Sequence, residues 1–341
     1  MNTITKRKRT HISFCHQGGL SLVELMISLT IGLILLAGIT ALIVQQSGTR
    51  DELEKASKEI ENGRYAMQLL HDDIQLAGFY SEYSPASGVV YTVPADPCNV
   101  SPGSANSGWG PAPAVPAPIY GYPGATADPT TGTTCGLTYY KPNTAILVVR
   151  RTATAPVATT AAVAGTTYLQ VSQCNTSSTP FVLGTSGFTQ QQKDCATPAD
   201  LRQYIVDVYY VSTCDICTPP SDNIPTLKMV QAGPAVTPSA PTPLVEGIEN
   251  MQFDYGVDNS GDGAPDSYTT APTAAGWPNI MAVRVNLLAR NNDITVGYQD
   301  SKTYSLSGIN GVAPVGPFNN QFKRHAYNEL VRVINPSGRR E

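Results

Sequence analysis

The segment QGGLSLVELMISLTIGLILL, residues 17–36, decides the fold of this chain. It opens an apolar stretch in which Glu24 is the single ionisable residue between Leu20 and Val44. A helix of this length rises about 37 Å, which is enough to cross a hydrocarbon core of about 30 Å. The segment 20–44 is therefore predicted to form a transmembrane helix.

The residues around this segment predict its orientation and processing. The basic run KRKR at 6–9 lies directly before it, which predicts a cytoplasmic N-terminus and places everything after Gln45 beyond the membrane. A secretory signal would instead end in a small-residue cleavage site after the apolar centre. The small residues Gly18 and Gly19 precede the apolar run, so cleavage there would remove the leader and keep the helix.

A basic leader, a glycine, a hydrophobic residue and then a glutamate ahead of about twenty apolar residues resemble the class III signal of type IV prepilins and type II secretion pseudopilins. The resemblance implies that prepilin peptidase cuts after Gly19, the last residue of the leader 1–19. Leu20 then becomes the first mature residue, normally N-methylated, at a position where the family most often has phenylalanine. Glu24 becomes the fifth mature residue.

Glu24 is unfavourable at this position, because an acid deep in a bilayer raises the free energy of insertion by about 2.5 to 3.5 kcal/mol on insertion scales. The resemblance implies a partner for it, the methylated amino group of another subunit in a filament. Glu24 is accordingly the predicted assembly residue. The alternative that the residues leave open is an acid snorkelling to the membrane surface in a plain signal anchor.

The helical pattern continues beyond the apolar segment and predicts a helix over 20–77. One stripe repeats at steps of three and four, and consists of Leu53, Ala56, Ile60, Gly63, Met67, Leu70, Ile74 and Ala77. The charged residues between them predict a solvated face, formed by Asp51, Glu52, Glu54, Lys55, Lys58, Glu59 and Glu61. Gly78 is the predicted stop.

Composition indicates a chain that works outside the cytoplasm and does not bind nucleic acid. The net charge is −4, and the leader holds a cluster of the basic residues, whereas nucleic-acid binding needs a basic face on the folded body. Six of the seven cysteines follow the leader, which favours disulfides in an oxidising compartment. Neighbours in sequence favour three pairs, although other pairings stay open: Cys98 with Cys135, Cys174 with Cys195, and Cys214 with Cys217.

The body is predicted to be mainly β. Residues 84–134 are rich in Pro, Gly, Ala, Ser and Thr, which favours a flexible surface loop over a binding loop. Strand-like segments follow at 145–151, 166–172, 202–212, 226–232, 251–257, 280–290 and 302–308. Segment 323–335 fits helix or strand, and similarity to pilin-like proteins favours strand. The predicted fold is α+β and pilin-like, a long N-terminal transmembrane helix packed on a mainly antiparallel sheet with long loops.

Two regions of the body are predicted, a loop-rich disulfide-containing β region over 78–230 and a C-terminal β-sheet region over 231–341. The second contains D-x-S-x-D-G-x-x-D, whose alternating oxygen side chains before a glycine are typical of calcium loops. The predicted calcium ligands are Asp258, Ser260, Asp262, the carbonyl of Ala264 and Asp266. Position 12 of this loop is Thr269 rather than a bidentate glutamate. The alternative is an Asp/Gly turn that needs no ion.

The sequence contains no pattern that predicts catalysis. Cys214-Asp-Ile-Cys217 lacks the second CxxC of a metal site and the βαβ context of a thioredoxin-like site, which favours a structural disulfide. Only His71 and His325 follow the leader, and neither a G-x-S-x-G elbow nor a phosphate-binding glycine loop occurs. The chain is therefore predicted not to be an enzyme.

The segments EGIENMQFDYGVD at 246–258 and VRVNLLAR at 283–290, together with the long helix, are similar to the PilW group of type IV pilus assembly proteins. The similarity covers the helix and about 244–335. It implies a minor pilin that primes assembly in a complex near the pilus tip, with roles in adhesion and twitching motility. The implied partners are other minor pilins, the major pilin, the inner-membrane assembly platform and a tip adhesin.

The resemblance places the chain in the inner membrane with a periplasmic body, and then in the pilus. Two alternatives stay open. A J-like type II secretion pseudopilin would share the signal, the helix and the sheet. A membrane-anchored periplasmic binding domain would use the helix only as a tether.

Overall fold

The computed structural model describes residues 19, 21–85, 90–101, 107–109, 114–235 and 237–340. Leu20, the predicted first mature residue, and residues 1–18 of the leader lie outside the described residues. The chain divides into two compact units, Met1–Leu53 and Glu54–Glu341.

Helix α1, Leu22–Leu76, begins in the first unit and ends in the second. In the first unit its apolar side chains from Leu22 to Val44 are exposed. By length and composition it is the one helix among the described residues that could cross a membrane. Its bounds agree with the predicted helix over 20–77.

The second unit contains a four-stranded antiparallel sheet, the smaller sheet, with the order β11-β10-β12-β13. The strands are β10 (Ile248–Val257), β11 (Ser267–Thr269), β12 (Ile280–Arg290) and β13 (Arg324–Arg332). Segments 251–257 and 280–290 are strands as predicted, and β13 confirms the strand interpretation of 323–335. The short helix α2, Ile334–Gly338, follows β13.

The larger sheet has seven strands in the order β3-β4-β7-β5-β6, with β8 paired to β7 and β9 paired to β8. All of its pairings are antiparallel. The strands are β3 (Ile119–Tyr122), β4 (Ile146–Thr152), β5 (Tyr168–Val171), β6 (Phe181–Gly184), β7 (Leu201–Ser212), β8 (Thr226–Ala232) and β9 (Thr242–Glu246). A parallel pair stands apart, β1 (Val90–Thr92) and β2 (Ala114–Pro116).

The part of α1 that lies in the second unit shares one hydrophobic core with both sheets. Buried helix residues such as Leu70 and Ile74 belong to the same cluster as Leu147 of β4 and Phe253 of β10. The opposite face of the larger sheet packs on a second cluster, which contains Trp109, Tyr204 and Tyr210. The helix is thus a core element of the body, because burial of its apolar face excludes water from both sheets.

The buried stripe of α1 differs from the predicted one. Leu53 and Ile60, predicted to be on the apolar stripe, are 66% and 44% exposed, whereas Glu59, predicted to be on the solvated face, is 8% exposed. With its amide nitrogen turned towards the helix, the Asn291 side chain donates to Glu59 Oε2 at 3.0 Å. The sequence pattern placed Glu59 on the solvated face because of its charge. It could not reveal a polar partner more than two hundred residues away in the chain.

One predicted strand is wrong. Segment 302–308 is an irregular loop in which Tyr304 makes an isolated bridge to Val315. Side-chain bonds hold this loop on the smaller sheet, because the buried carboxylate of Asp254 accepts from Ser307 Oγ at 2.6 Å and from the Gly308 N–H at 2.7 Å. The alternating residues of this segment are held by hydrogen bonds to Asp254 and not by pairing with a neighbouring strand.

Candidate functional sites

Of the predicted processing and assembly residues, the structure describes Gly19 and Glu24. Gly19 is exposed, and a Cβ built on it would meet nothing within 4 Å. Glu24 lies in the first turn of α1 with an exposed side chain. Ser28 Oγ donates to the Glu24 carbonyl oxygen at 2.7 Å, so the hydroxyl is used within the helix.

A buried ionic cluster joins α1 to the larger sheet. Arg151 of β4 donates through Nε to the carboxylate of Asp73 on the helix, and through Nη2 to Asp207 Oδ2 of β7 at 3.1 Å. Tyr209 Oη donates to Asp73 Oδ2 at 3.0 Å, and Gln231 Nε2 donates to Asp207 Oδ1 at 2.7 Å. Two side chains from the sheet, Arg151 and Tyr209, thus bind the helical carboxylate of Asp73 directly, and Asp207 and Gln231 complete the cluster around Arg151.

Both carboxylates of this cluster lie out of water beside one guanidinium. Burial, and then the charge of Asp73, raises the pKa of Asp207, although Arg151 and the Gln231 bond oppose the shift. The same carboxylates raise the pKa of Arg151 against its own burial. The sequence analysis missed this cluster. The available signal was Asp73, which lies next to Ile74 within the apolar pattern of the helix.

A second buried cluster fixes the long loop between β12 and β13. The Arg324 side chain is fully buried, pairs with both oxygens of Glu249, and donates through Nη1 to Asp300 Oδ2 at 2.8 Å. Tyr304 Oη also donates to Asp300, and the Phe318 ring covers the guanidinium with its centroid 3.8 Å from Cζ. The ion pair between Asp300 and Arg324, and the Phe318 ring stacked on the Arg324 guanidinium, thus hold the loop in place.

The C-terminal segment closes the end of α1. Asn335 Nδ2 donates to the carbonyl oxygens of Ala77 (3.2 Å) and Gln75 (3.4 Å), and Arg339 Nη2 donates to that of Gly78 at 2.6 Å. Gly78 has φ +73°, as expected for the predicted helix stop. Carbonyls at a helix end have no intrahelical partner, and a cation there is favoured by the helix dipole. The last residues of the chain thus stabilise the first helix.

The carboxylate of Asp258, the first predicted calcium ligand, is already engaged. It accepts from the amides of Gly261 (2.5 Å) and Gly263 (3.0 Å), and Arg340 Nη1 pairs with it at 2.9 Å. Although burial opposes the shift, these amides and Arg340 hold the pKa of Asp258 below its usual range. A guanidinium therefore already neutralises the most buried carboxylate of this loop.

Of the other predicted ligands, Ser260 contacts Asp258, its Oγ donating to Oδ1 at 3.3 Å, whereas the carboxylates of Asp262 and Asp266 are engaged by backbone amides. Asp266 Oδ2 accepts from the amides of Asn259 and Ser260, and Asp262 Oδ1 accepts from the amide of Ala264 at 2.9 Å. Within the described ranges, no group of three or more His, Cys, Asp or Glu side chains is arranged to hold a metal ion. The folded loop fits the Asp/Gly turn better than a calcium loop, and calcium binding stays a prediction.

Three disulfides join the six cysteines that follow the leader, in the local pairing favoured by the sequence. Cys98 pairs with Cys135, Cys174 with Cys195, and Cys214 with Cys217. They span 37, 21 and 3 residues, respectively. Disulfide-bonded loops of this kind are typical of proteins that function outside the cytoplasm.

Two segments of the chain match known family models. Residues 208–335 match the family model described as type IV pilus-assembly protein W, and residues 15–40 match the prokaryotic N-terminal methylation motif. The first match covers β8 to β13, and the second covers Gly19 and Glu24. No curated protein matches the chain.

Among solved structures, a type IV-like pilin from Thermus thermophilus is similar at 12% identity and a TM-score of 0.29. The alignment covers 57% of this chain and 78% of that pilin. The two matches within the chain itself confirm its resemblance to the PilW group. Residues 208–335 are thus similar to type IV pilus-assembly protein W, and residues 15–40 to the prokaryotic N-terminal methylation motif.

Proposed function

We propose that this protein is a minor pilin that primes or supports type IV pilus assembly within a complex of minor pilins near the pilus tip. One observation carries the proposal. A single helix, α1, contains most of the methylation-motif match, with its exposed apolar segment, and also the buried face on which the body is built. Such a subunit can be anchored in a membrane by this helix and later be packed into a pilus through the same helix.

The exposed apolar segment must be shielded from water both in the membrane and in the assembled pilus. Side chains such as Leu25, Ile31 and Leu35 are all more than half exposed. Lipid would cover them before assembly, and the apolar helices of other subunits would cover them afterwards, since exposure of such a surface to water is unfavourable. Glu24 would pair with the methylated amino group of a neighbouring subunit, which makes assembly favourable for an acid that is costly in lipid.

The ionic cluster on α1 supports the same function. Withdrawal of the helix from a membrane applies force to the body through the segment after Leu53. Asp73 is held there by Arg151 and Tyr209, and the C-terminal segment binds the carbonyls at the helix end. The proposed mechanism is insertion and packing without catalysis. The body would contact other minor pilins or a tip adhesin on the far side of the membrane.

Processing is the first test. The full chain is expressed with and without a prepilin peptidase, and intact mass and N-terminal sequence are measured. We expect peptidase-dependent loss of residues 1–19 and a methylated Leu20. An uncleaved chain, or one cut after Val44, would contradict the proposal and return the protein to the anchored or secreted binding domains.

Assembly is the second test. Glu24→Ala is expected to leave processing and membrane insertion intact and to reduce recovery in sheared pili by at least about tenfold, because an uncompensated amine then remains in the filament. Ser28→Ala, one turn further along the helix, is the control and should be recovered normally. Normal incorporation of Glu24→Ala would overturn the assembly role. Cross-linking to secretion subunits instead of minor pilins would favour the pseudopilin alternative.

A further inference from the structure

The three disulfides have different charged surroundings. Asp96 lies beside Cys98 and accepts from its amide at 3.0 Å, and Asp194 directly precedes Cys195. The third disulfide differs because Lys228 Nζ lies 3.5 Å from Cys217 Sγ. A neighbouring cation favours a thiolate over a thiol, whereas a carboxylate disfavours it. The third pair also has a neighbouring carboxylate, since Asp215 follows Cys214, and its distinguishing feature is the ammonium beside Cys217 Sγ.

Lys228 is held in this position by the fold. It lies in β8 opposite Tyr210 of β7, and it is 6% exposed. Its Nζ also donates to the Asp215 carbonyl oxygen at 3.0 Å, inside the CxxC turn. An ammonium kept out of water interacts more strongly with a nearby sulfur than one on a solvated side chain would.

The turn is shaped by groups other than the S–S bond. The carboxylate of Asp222 accepts from the amides of Asp215 (3.1 Å), Ile216 (2.8 Å) and Ile224 (3.0 Å). Lys228 binds a carbonyl of the same turn, and the cysteines are only three residues apart. Because so short a loop adds little closure entropy, reduction would leave the fold around the turn in place.

Access differs between the two sulfurs. Cys214 is 2% exposed, whereas Cys217 is partly exposed and follows the exposed Ile216. From these contacts we propose that the Cys214–Cys217 disulfide is a thiol–disulfide exchange site for a dithiol, with Cys217 as the attacked sulfur and Lys228 as the group that stabilises its thiolate. This goes beyond the role in pilus assembly and does not depend on it.

The exchange balances with a dithiol as reductant. One thiolate of the dithiol attacks Cys217 Sγ, the S–S bond breaks, and Cys214 leaves as a thiolate beside the hydroxyls of Ser212 and Thr213, which lie 4.0 Å and 3.6 Å from its sulfur. The second thiolate of the dithiol then attacks its partner sulfur in the mixed disulfide and releases Cys217 as a thiolate beside Lys228. Two electrons pass to the cysteines, and the dithiol becomes a disulfide.

Equilibration with dithiothreitol tests the proposal on the full chain in detergent. Graded ratios of reduced to oxidised dithiothreitol are applied, free thiols are alkylated, and each cysteine peptide is quantified by mass spectrometry. Cys214 and Cys217 are expected to be half reduced at a ratio at least about tenfold lower than the other pairs. Reduction of all three pairs at the same ratio would overturn the proposal.

Variants identify the role of Lys228. Lys228→Gln should raise the ratio needed for half reduction by about threefold to tenfold, and Lys228→Arg should restore most of it. Lys193→Gln is the control, since Lys193 is exposed beside Cys195 and its carbonyl lies 4.0 Å from that sulfur. If Lys228→Gln behaves like the control while its melting temperature is unchanged, the stabilising role is wrong.

A measurement on the unaltered chain covers the case in which Lys228→Gln does not fold. Excess glutathione, a monothiol, followed by rapid alkylation of the freed cysteine, traps the mixed disulfide before that cysteine can displace glutathione, and mass spectrometry locates its position. We expect glutathione on Cys217. Its attachment to Cys214, or to Cys174 and Cys195 in equal amount, would contradict the assignment.

Discussion

Glu24 and Asp73 are acids on the same helix, and both lie among apolar residues. The Glu24 side chain is exposed, whereas Asp73 is 5% exposed and bound by Arg151 and Tyr209. An acid in an apolar setting needs a partner in either case, because its desolvation is costly. For Asp73 the partner is in the same chain. For Glu24 the proposed partner belongs to another subunit.

The two parts of α1 differ in where the packing partners of their side chains come from. Residues 54–76 contribute to a core that the two sheets already close, so substitutions there should change the stability of the body. The apolar side chains of 22–44 are exposed, so substitutions there should change insertion and assembly and leave the melting of the body unaltered.

Arg151→Met should have the largest effect on stability. It leaves Asp73 and Asp207 facing each other without their cation, and loss of one partner from a buried ionic cluster costs about 3–5 kcal/mol. The measurement is denaturant unfolding of the full chain in detergent, followed by near-ultraviolet circular dichroism. Arg64→Met, on the exposed face of the same helix, is the control and should stay within about 0.5 kcal/mol. Equal stability of the two variants would refute the structural role of the cluster.

The pH dependence of stability should reveal Glu59. Burial raises its pKa to about 7 from an ordinary value of 4.5, although Lys323 and Arg324 oppose the shift. The folded state therefore holds the proton more tightly, so the associated stability is present below pH 4.5 and is lost as the pH rises through 7. The loss amounts to at most about 3 kcal/mol.

Glu59→Gln keeps the shape of the side chain without the charge. The variant should lose less stability than the wild type between pH 5 and pH 8, with unfolding free energy measured at each pH. Glu61→Gln, on the exposed face two residues away, should follow the wild-type profile. A wild-type profile that Glu59→Gln leaves unchanged would show that Glu59 does not carry the proton.

Gly63→Ala should cost about 2 kcal/mol, because added atoms in a packed core force neighbours to move. A Cβ at this position would lie 2.3 Å from Cε2 of Tyr327, whose ring packs directly against the helix. Gly48→Ala is the matched control in the same helix, since a Cβ there meets nothing within 4 Å. We expect it to leave the melting temperature unchanged or slightly raised. Equal effects at both glycines would argue against the close contact with Tyr327.

The sequence predicted those features that depend on local pattern. The helix over 22–76, the strands β8 and β12 and the local disulfides follow from periodicity, residue type and spacing. The burial of Glu59, the cluster around Arg324 and the approach of Lys228 to Cys217 depend on residues far apart in the chain. Periodicity treats a charged residue as exposed, and only the folded topology shows which charges meet.

The C-terminal Arg340 gives the smallest expected effect and separates the two interpretations of the Asp/Gly loop. Its guanidinium binds Asp258 at 2.9 Å and Asn279 Oδ1 at 2.6 Å, while remaining partly exposed. Arg340→Ala should therefore cost about 1 kcal/mol, measured as a loss of melting temperature. Lys302→Ala, at an exposed position, is the control and should melt like the wild type.

Addition of calcium distinguishes the same two interpretations of the Asp/Gly loop without a mutation. Asp258, like Asp73, is a buried carboxylate already bound by an arginine, and its oxygens also accept two backbone amides. A calcium ion would have to replace these donors and gather Asp262 and Asp266 from bonds of their own. Millimolar calcium should therefore leave the melting temperature unchanged. A calcium-dependent rise would show that the loop rearranges around the ion, and the calcium site predicted from the sequence would then be correct.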